Sequence, residues 1–213
     1  MIRGRFVTVE GGEGAGKSTQ VRLLAQALTQ RGLAVVATRE PGGAPGAEAI
    51  RGLLVEGDRD RWDALTEALL HFAARRDHML RTIEPALAGG AWVVSDRFAD
   101  STVVYQGYGQ GLSRATIAEL HRLVLGDVRP DLTLVLDVPV ELGLERARKR
   151  GAGDRYERMD RSFHERLREG FLAIARAEPA RCVVVDATGS AEATHRRMLR
   201  IVNQRLGDGG AGR

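Results

Sequence analysis

A glycine-rich turn between a predicted strand and a predicted helix constrains this chain more than any other feature. Residues 11–18 read GGEGAGKS, follow the apolar run FVTVE and precede apolar residues at helical spacing. The segment fits the pattern G-x-x-x-x-G-K-[ST], in which glycines let backbone N–H groups turn inward around phosphate oxygens. A helix that begins near Lys17 adds the positive end of its dipole. The pattern therefore predicts a loop that binds a nucleoside triphosphate.

The side chains of this loop have predicted roles of their own. Lys17 can reach the β- and γ-phosphates, and the Ser18 hydroxyl can bind Mg²⁺. Only two of the 32 basic residues are lysines, so a lysine here indicates a tight site that requires a compact ammonium. The residues predicted to contact the nucleotide are consecutive: Gly11, Gly12, Glu13, Gly14, Ala15, Gly16, Lys17, Ser18 and Thr19.

Five short apolar runs alternate with longer segments of helical periodicity. The runs lie at 6–10, 33–38, 91–96, 132–137 and 182–187, and they are almost continuously apolar, as in strands buried on both faces. Helices are predicted from Lys17 to before Gly32, from Pro85 to about Gly89, and at 64–80, 113–125, 139–150, 160–177 and 190–206. This alternation predicts an α/β fold, a doubly wound five-stranded parallel sheet with flanking helices.

Acidic residues fall at the carboxyl ends of the predicted strands, where such sheets bind their ligands. They are Glu10, Asp96, Asp137 and Asp186. Asp96 is placed to hold Mg²⁺ through water, and the next residue, Arg97, is placed to hold the phosphate of an acceptor. The sequence therefore predicts a metal site made of Ser18 and Asp96.

Length and composition limit the remaining possibilities. A chain of 213 residues predicts one domain, here 1–206, with 207–213 as a frayed tail. The single cysteine, Cys182, excludes an internal disulfide, and no apolar run is long enough to cross a bilayer. The net charge is only +4, which is weak support for nucleic-acid binding. A cytoplasmic enzyme is expected, with neither a nucleic acid nor a membrane as its partner.

The reaction class follows from what the chain lacks. GTP-binding proteins need an N-K-x-D motif for the base, and neither lysine stands in one. Motors usually need a longer chain. A kinase that acts on a small acceptor is therefore the leading class at this size, because a phosphate loop alone does not name the reaction.

Several motifs together resemble one family, the bacterial thymidylate kinases. They are VTVEGGEGAGKSTQ, TREPGG at 38–43, FAAR at 72–75, SDRFADSTVVYQGYGQG at 95–111 and RPDLTLVLDVP at 129–139, in the family's order. The resemblance implies transfer of the γ-phosphoryl group of ATP to dTMP, with Mg²⁺, by a homodimer. The alternatives are a kinase for another nucleoside monophosphate, such as UMP or dCMP, and a basic NTPase that binds nucleic acid.

The resemblance also implies which residues hold the acceptor phosphate and sugar. Arg97 and Arg39 match arginines that bind the dTMP phosphate. Glu13 matches an acidic residue near the sugar 3′-hydroxyl and the metal. Tyr105 matches a tyrosine packed where a ribose 2′-hydroxyl would lie, a position that favours deoxyribose.

The base-binding residues come from two further motifs. Arg75 matches an arginine that hydrogen-bonds thymine, and Thr102 matches a residue that reads the thymine edge, followed by Gln106 in the expected place. Phe72 is expected to stack on the base, being three residues from Arg75 on one helical face. In some relatives the aromatic residue stands one position earlier, where this chain has His71, so both assignments are open.

A basic segment at 145–160 is expected to be a mobile lid. The variable part of the phosphate loop contains no arginine, and the bacterial type resembled here carries its basic residues in the lid. Gly151 and Gly153 permit movement, and Arg146, Arg150 and Arg155 are the candidates for the γ-phosphate. The alternative is a solvated helix with ion pairs four residues apart. Residues 186–188 resemble the family's loop on the adenine side.

Overall fold

The fold is organised around one parallel sheet. In the computed structural model, which describes residues 3–58, 60–151 and 155–207, the strands are β1 (Phe6–Gly11), β2 (Val35–Arg39), β3 (Trp92–Asp96), β4 (Leu132–Asp137) and β5 (Cys182–Asp186). Their order is β2-β3-β1-β4-β5, and every neighbouring pair is parallel. The predicted α/β class and the five-stranded parallel sheet are confirmed.

Helices cover both faces of the sheet. They are α1 (Lys17–Gln30), α2 (Pro45–Val55), α3 (Ala64–His78), α4 (Glu84–Ala88), α5 (Ala99–Thr102), α6 (Arg114–Leu125), α7 (Val140–Arg150), α8 (Arg161–Ala177) and α9 (Ala191–Leu206). A π-helical segment, Met79–Ile83, joins α3 to α4, and a second one, Val103–Gly109, continues α5. None of the helices described is long and apolar enough to cross a membrane.

The alternation of side chains along β1 shows how the layers are built. Val7 and Val9 point to the face covered by α1 and α9, where they pack with residues such as Leu24 and Met198. Phe6 points to the opposite face and packs in a cluster with residues of the Met79–Ile83 segment. Because neighbouring side chains of a strand point to opposite faces, a continuously apolar strand indicates burial on both sides.

Two helical regions were not predicted from the sequence. Helix α2 begins with Pro45 in its first turn, a position where the missing N–H costs nothing, but the segment is rich in glycine and alanine. Residues 99–109 contain β-branched and glycine residues, which disfavour a helix, yet they form α5 and the following π-helical segment. In both places tertiary packing outweighs local propensity.

The parallel register brings the strand ends to one edge. Val9 pairs with Asp96, Arg39 also pairs with Asp96, and Asp137 pairs with Asp186. The phosphate loop leaves β1 at this edge and packs closely on α7. The close approach requires glycine, because a Cβ on Gly14 would lie 1.8 Å from the carbonyl oxygen of Gly143. The carboxyl edge of the sheet is therefore where a ligand site can form.

Candidate active site

A cavity of about 400 Å³ opens at the carboxyl edge of the sheet. It lies between the phosphate loop, α3, the segment after β3 and the residues on either side of 152–154. Its wall includes these side chains: Glu13, Lys17, Ser18, Arg39, Glu40, Arg51, His71, Arg75, Asp96, Arg97, Ser101, Tyr105, Gln106, Tyr156 and Glu157. Most of the residues predicted from the sequence to bind the acceptor therefore face one volume.

The phosphate loop holds Lys17 inside its own curve. The Lys17 ammonium donates to the carbonyl oxygen of Gly12 at 2.8 Å, and the residue is only 7% exposed. Gly16, just before α1, has a φ of 92°, a left-handed conformation in which glycine is strongly favoured. Burial and the nearby charge of Arg97 lower the pKa of Lys17.

Ser18 and Asp96 meet at the mouth of the loop. The Ser18 hydroxyl donates to a carboxylate oxygen of Asp96 at 2.6 Å. Among the residues the structure describes, no group of three or more His, Cys, Asp or Glu side chains could hold a metal by itself. The Ser18 hydroxyl and the Asp96 carboxylate fit Mg²⁺, because protein sites of this kind hold that ion through one or two side chains together with substrate phosphates and water. The other strand-end carboxylates are engaged elsewhere: Asp137 binds Arg168, and Asp186 accepts from Thr188.

Arg97 occupies a strained position beside the phosphate loop. Its φ of 71° is in the left-handed region, which costs a non-glycine residue about 1–3 kcal/mol. The turn is held by buried Glu10, which accepts from the Phe98 amide at 2.8 Å and from the Ser101 hydroxyl at 2.7 Å. Strain that the surroundings maintain in this way is typical of functional sites.

Glu13 is the direct partner of Arg97. One carboxylate oxygen of Glu13 accepts from the Arg97 guanidinium at 2.8 Å and from the Tyr105 hydroxyl at 2.5 Å. Burial alone would raise the pKa of Glu13. The charges of Arg97 and Lys17, with the Tyr105 hydrogen bond, outweigh burial and hold that pKa at about 2. These contacts explain how a carboxylate is tolerated inside an anion-binding loop.

Arg75 is buried and fully oriented. Its guanidinium donates to Glu40 at 2.6 Å, to the Thr102 hydroxyl at 3.1 Å and to the Phe98 carbonyl at 3.1 Å. Glu40 in turn lies 3.0 Å from Nδ1 of His78. An arginine that is 2% exposed and held by three acceptors presents a fixed edge to the cavity.

Of the two adjacent candidates on α3 for stacking, His71 lines the cavity and Phe72 does not. Phe72 is 2% exposed, packs under the Arg75 guanidinium at 5.1 Å and borders a different cavity. Phe72 and His71 point in different directions because one residue along a helix turns the side chain by about 100°. The expectation that one of them stacks on a base stays a prediction, and His71 is the one that lines this cavity. Burial and the charges of Arg75 and Arg155 lower the pKa of His71 to about 3, so its ring is neutral.

The side-chain nitrogen of Gln106 is held by a hydrogen bond, whereas its side-chain oxygen can still accept one. Its side-chain amide donates to buried Glu67 at 2.7 Å, and this contact sets the orientation of the amide. Its side-chain oxygen is buried and has no hydrogen-bond partner among the residues that the structure describes. A buried acceptor in a cavity wall is available to a hydrogen-bond donor from a ligand or water.

Two of the three arginines expected to reach the γ-phosphate have described side chains, Arg146 and Arg155, and both contact other groups of the protein. Arg155 is 1% exposed and paired with Glu67, so it is neither solvated nor in the cavity wall. Arg146 donates to the carbonyl oxygens of Ala187 and Thr188, at 2.9 and 2.8 Å, and so contacts the loop after β5. The side chain of Arg150, together with Gly153 and residues 208–213 of the predicted tail, lies outside the described part of the structure.

Four functional candidates were missed in the sequence. Glu40 and Arg51 line the cavity, Glu10 holds the Arg97 turn, and Glu67 orients Gln106. Glu10 and Glu40 are charges at the ends of strands and stand inside the motifs VTVEGGEGAGKSTQ and TREPGG, but neither signal indicates a role for these carboxylates. Glu67 and Arg51 stand in helices, where a lone charge usually faces solvent.

A phosphate loop and an arginine-lined cavity at one edge of the sheet define the class, a phosphotransferase of the phosphate-loop NTPase fold. The family profile for thymidylate kinase matches residues 9–198. A thymidylate kinase from Caulobacter vibrioides is 56% identical over 207 residues, which is 97% of this chain and 100% of the relative. One from a Bradyrhizobium species is 52% identical and covers 96% of this chain and 92% of its own.

A solved structure agrees with these sequences. The crystal structure of thymidylate kinase from Ehrlichia chaffeensis matches with a TM-score of 0.77 and 35% identity, over 94% of this chain and 99% of that one. The chain belongs to the thymidylate kinase family. The resemblance found in the motifs is thereby confirmed.

Proposed function

We propose that this enzyme transfers the γ-phosphoryl group of ATP to the phosphate of dTMP and forms dTDP. The observation that carries the proposal is the placement of Lys17, Arg97 and Arg75 in the wall of a single cavity. Lys17 marks the donor end, Arg97 the acceptor phosphate and Arg75 the acceptor base. Family membership supports the same reaction.

At the donor end, the loop amides and Lys17 cradle the transferred group. The Lys17 ammonium would exchange its contact with the Gly12 carbonyl for a phosphate oxygen. Ser18 and Asp96 would hold Mg²⁺. When bound, that ion neutralises developing negative charge on the phosphates. Arg146 and the loop at 186–188, which it contacts, form the candidate adenine side.

At the acceptor phosphate, Arg97 is preorganised for binding and Arg39 is not. Arg97 is already aligned by Glu13, Tyr105 and the Gly11 carbonyl. Arg39 contacts both carboxylate oxygens of exposed Glu48, and its own side chain is 54% exposed. Arg97 therefore supplies a preorganised contact, whereas Arg39 changes partner when phosphate binds. No general base is needed, because the acceptor phosphate is largely ionised at neutral pH and positioning carries the reaction.

At the acceptor base, the polar groups select a pyrimidine with an N3–H donor. The free oxygen of Gln106 can accept that proton, whereas cytosine presents an acceptor at N3. Arg75 lies in the same cavity wall, contacts the Thr102 hydroxyl and can serve the carbonyl edge. The neutral ring of His71 is in place to stack. Thymine and uracil satisfy this set, and cytosine leaves buried groups unpaired.

At the sugar, Tyr105 and Glu13 are hydrogen-bonded to each other and together form part of the cavity wall. The Tyr105 hydroxyl is committed to Glu13 and Arg97, so its ring is fixed. A fixed ring against the sugar disfavours an added 2′-hydroxyl by contact and by leaving that hydroxyl unpaired. The site therefore favours a deoxyribose.

Two features of the sequence remain proposals about this enzyme. We expect Arg150, in the lid at 145–160, to contact the transferred phosphate. We expect a homodimer that uses α3, where Leu65 and Leu69 are 42% and 48% exposed. Light scattering on Leu69→Lys against the unchanged protein tests the second expectation, and an unchanged mass would contradict it.

The reaction is tested by measuring ADP release with ATP, Mg²⁺ and a panel of nucleoside monophosphates. We expect kcat/KM to be highest for dTMP and lower for dUMP by the value of one methyl contact, about 1–3 kcal/mol. UMP and dCMP should be poorer still. Equal kcat/KM for dTMP and CMP would contradict the proposal. ADP release that requires polynucleotide instead of a monophosphate would favour the nucleic-acid-binding alternative.

A further inference from the structure

The buried ion pair between Arg155 and Glu67 joins residues 155–160, the part of the expected lid that follows residues 152–154 and called the lid segment below, to α3. Arg155 and Glu67 are 1% and 0% exposed in their side chains, and Nη2 of Arg155 contacts a Glu67 carboxylate oxygen. Arg155 also donates from Nε to the Leu54 carbonyl at 3.2 Å, and its backbone amide donates to Val55 at 3.2 Å. The pair is thus built into the molecule from α2, α3 and the lid segment.

Glu67 is also the residue that orients the acceptor-reading amide. It accepts from Gln106 at 2.7 Å and from Gln110 at 2.9 Å through one oxygen, and from Arg155 through the other. The carboxylate therefore divides its two oxygens between the cavity wall and the lid segment. Its position decides where the free oxygen of Gln106 points.

The next residue, Tyr156, links Arg155 to two further side chains of the cavity wall, His71 and Tyr105. Its hydroxyl lies 3.2 Å from Nη2 of Arg155 and 3.1 Å from Nε2 of His71. Its ring packs edge-on against Tyr105, with the ring centroids 5.3 Å apart. Docking of the Arg155 guanidinium therefore also positions the side chains that would enclose base and sugar.

We infer that Arg155 is a positioning residue for the acceptor base, acting through Glu67 and Tyr156, rather than a contact of the transferred phosphate. The inference rests on the proposed reaction with dTMP. A buried carboxylate needs a charged partner, so the orientation of Gln106 depends on Arg155 staying docked.

The primary test replaces Arg155 and compares kcat with KM. In Arg155→Met, we expect the KM for dTMP to rise by about tenfold to a hundredfold, while kcat from saturated enzyme changes little. The preference for dTMP over dCMP should fall, because Gln106 loses its fixed orientation. Arg158→Met is the matched control: Arg158 lies in the same segment, is exposed and contacts the Gly57 carbonyl, and its replacement should leave both constants unchanged.

Two results would overturn the inference. A fall in kcat with unchanged KM for dTMP would make Arg155 a contact of the transferred phosphate. Constants equal to those of Arg158→Met would make the ion pair irrelevant to acceptor binding. Failure of the proposed reaction is a separate result, because the unchanged enzyme would then release no dTMP-dependent ADP.

A second pair of variants covers the case in which Arg155→Met unfolds. Glu67→Gln and the double variant Arg155→Met/Glu67→Gln are compared in melting temperature and in KM for dTMP. The double variant removes both charges and keeps an acceptor for Gln106. It should therefore melt at a higher temperature than Arg155→Met, and its KM for dTMP should be closer to that of the unchanged enzyme. If the change in KM in the double variant equals the product of the changes in the two single variants, the two residues act separately, and the inference would be overturned.

Discussion

Arg97 and Glu13 form an ion pair across 2.8 Å, between the strained turn after β3 and the variable part of the phosphate loop. The two side chains are 14% and 10% exposed. The pair joins the donor side of the cavity to the acceptor side before either ligand is bound. An acceptor phosphate would therefore meet a guanidinium whose position the phosphate loop has already set, which lowers the ordering cost of binding.

The first prediction concerns the pH dependence of this pair. The pKa of Glu13 is about 2 in the folded chain and near 4.5 when unfolded, so its stabilising contribution is complete above pH 4.5 and declines as the pH falls towards 2. Glu13→Gln should destabilise the protein at pH 7 by about 1–3 kcal/mol, since the buried Arg97 guanidinium loses its charged partner. Near pH 3.5 the difference between the two proteins should be smaller by about 1 kcal/mol.

Denaturant unfolding of both proteins at several pH values measures the effect. Glu145→Gln is the control, because Glu145 is half-exposed and pairs with Lys149 on the surface. A difference between wild type and Glu13→Gln that stays constant from pH 7 to the acid limit would contradict the lowered pKa.

The second prediction concerns Lys17. Lys17→Ala should lower kcat far more than it lowers dTMP affinity, because the ammonium's contact with the transferred group strengthens in the transition state. Lys17→Arg should be poor as well, since a planar guanidinium does not fit the curve in which the ammonium meets the Gly12 carbonyl. Single-turnover transfer and dTMP titration separate the two quantities. Near wild-type kcat in Lys17→Arg would argue against the geometry of this loop.

The strands and the phosphate loop could be predicted because their signals are local. A continuous apolar run needs no partner to be recognised, and the loop is defined by spacing alone. Arg75 and Arg97 could be proposed because they stand in motifs that resemble those of a family. The structure adds what they contact, and it adds Glu40 and Glu10, which hold them from distant parts of the chain.

Arg155 shows why the rest could not be predicted. In the sequence it lies among glycines and charges, which is typical of a solvated segment. Its burial depends on Glu67, 88 residues away, and no periodicity within the segment reports that contact. His71 and Phe72 are a second case, since the sequence places both on one helix and only the packing of α3 decides which faces the cavity.

The third prediction tests base selection at Gln106. Gln106→Leu removes the free acceptor and keeps a side chain of similar length. The KM for dTMP should rise by about tenfold or more, and kcat/KM should fall less for dCMP than for dTMP. A site that hydrogen-bonds its substrate discriminates through the group that the wrong substrate leaves unpaired. Gln110→Leu is the matched control, because Gln110 contacts the same Glu67 oxygen but does not line the cavity. Equal losses for dTMP and dCMP in Gln106→Leu would contradict this role.

The last prediction concerns the contact of the phosphate loop with α7. A Cβ added to Gly143 would lie 2.5 Å from the Glu13 carbonyl oxygen, closer than real Cβ contacts. Alanine is favoured over glycine within a helix by about 1 kcal/mol, so Gly143→Ala would stabilise α7 if the space were open. Because the atom it meets is backbone of the phosphate loop, we expect overpacking to cost about 1–3 kcal/mol instead and to displace the loop.

The displacement should be visible in catalysis as well as in stability. Gly143→Ala should lower the melting temperature and raise the KM for ATP by about tenfold, with a smaller change for dTMP, because the loop amides that cradle the donor phosphates move together. Gly52→Ala is the control: it lies in helix α2, and the nearest atom to its added Cβ is 3.9 Å away. That variant should keep its activity and gain slight stability. If Gly143→Ala behaves like Gly52→Ala in both measurements, the fit between α7 and the loop does not constrain the donor site.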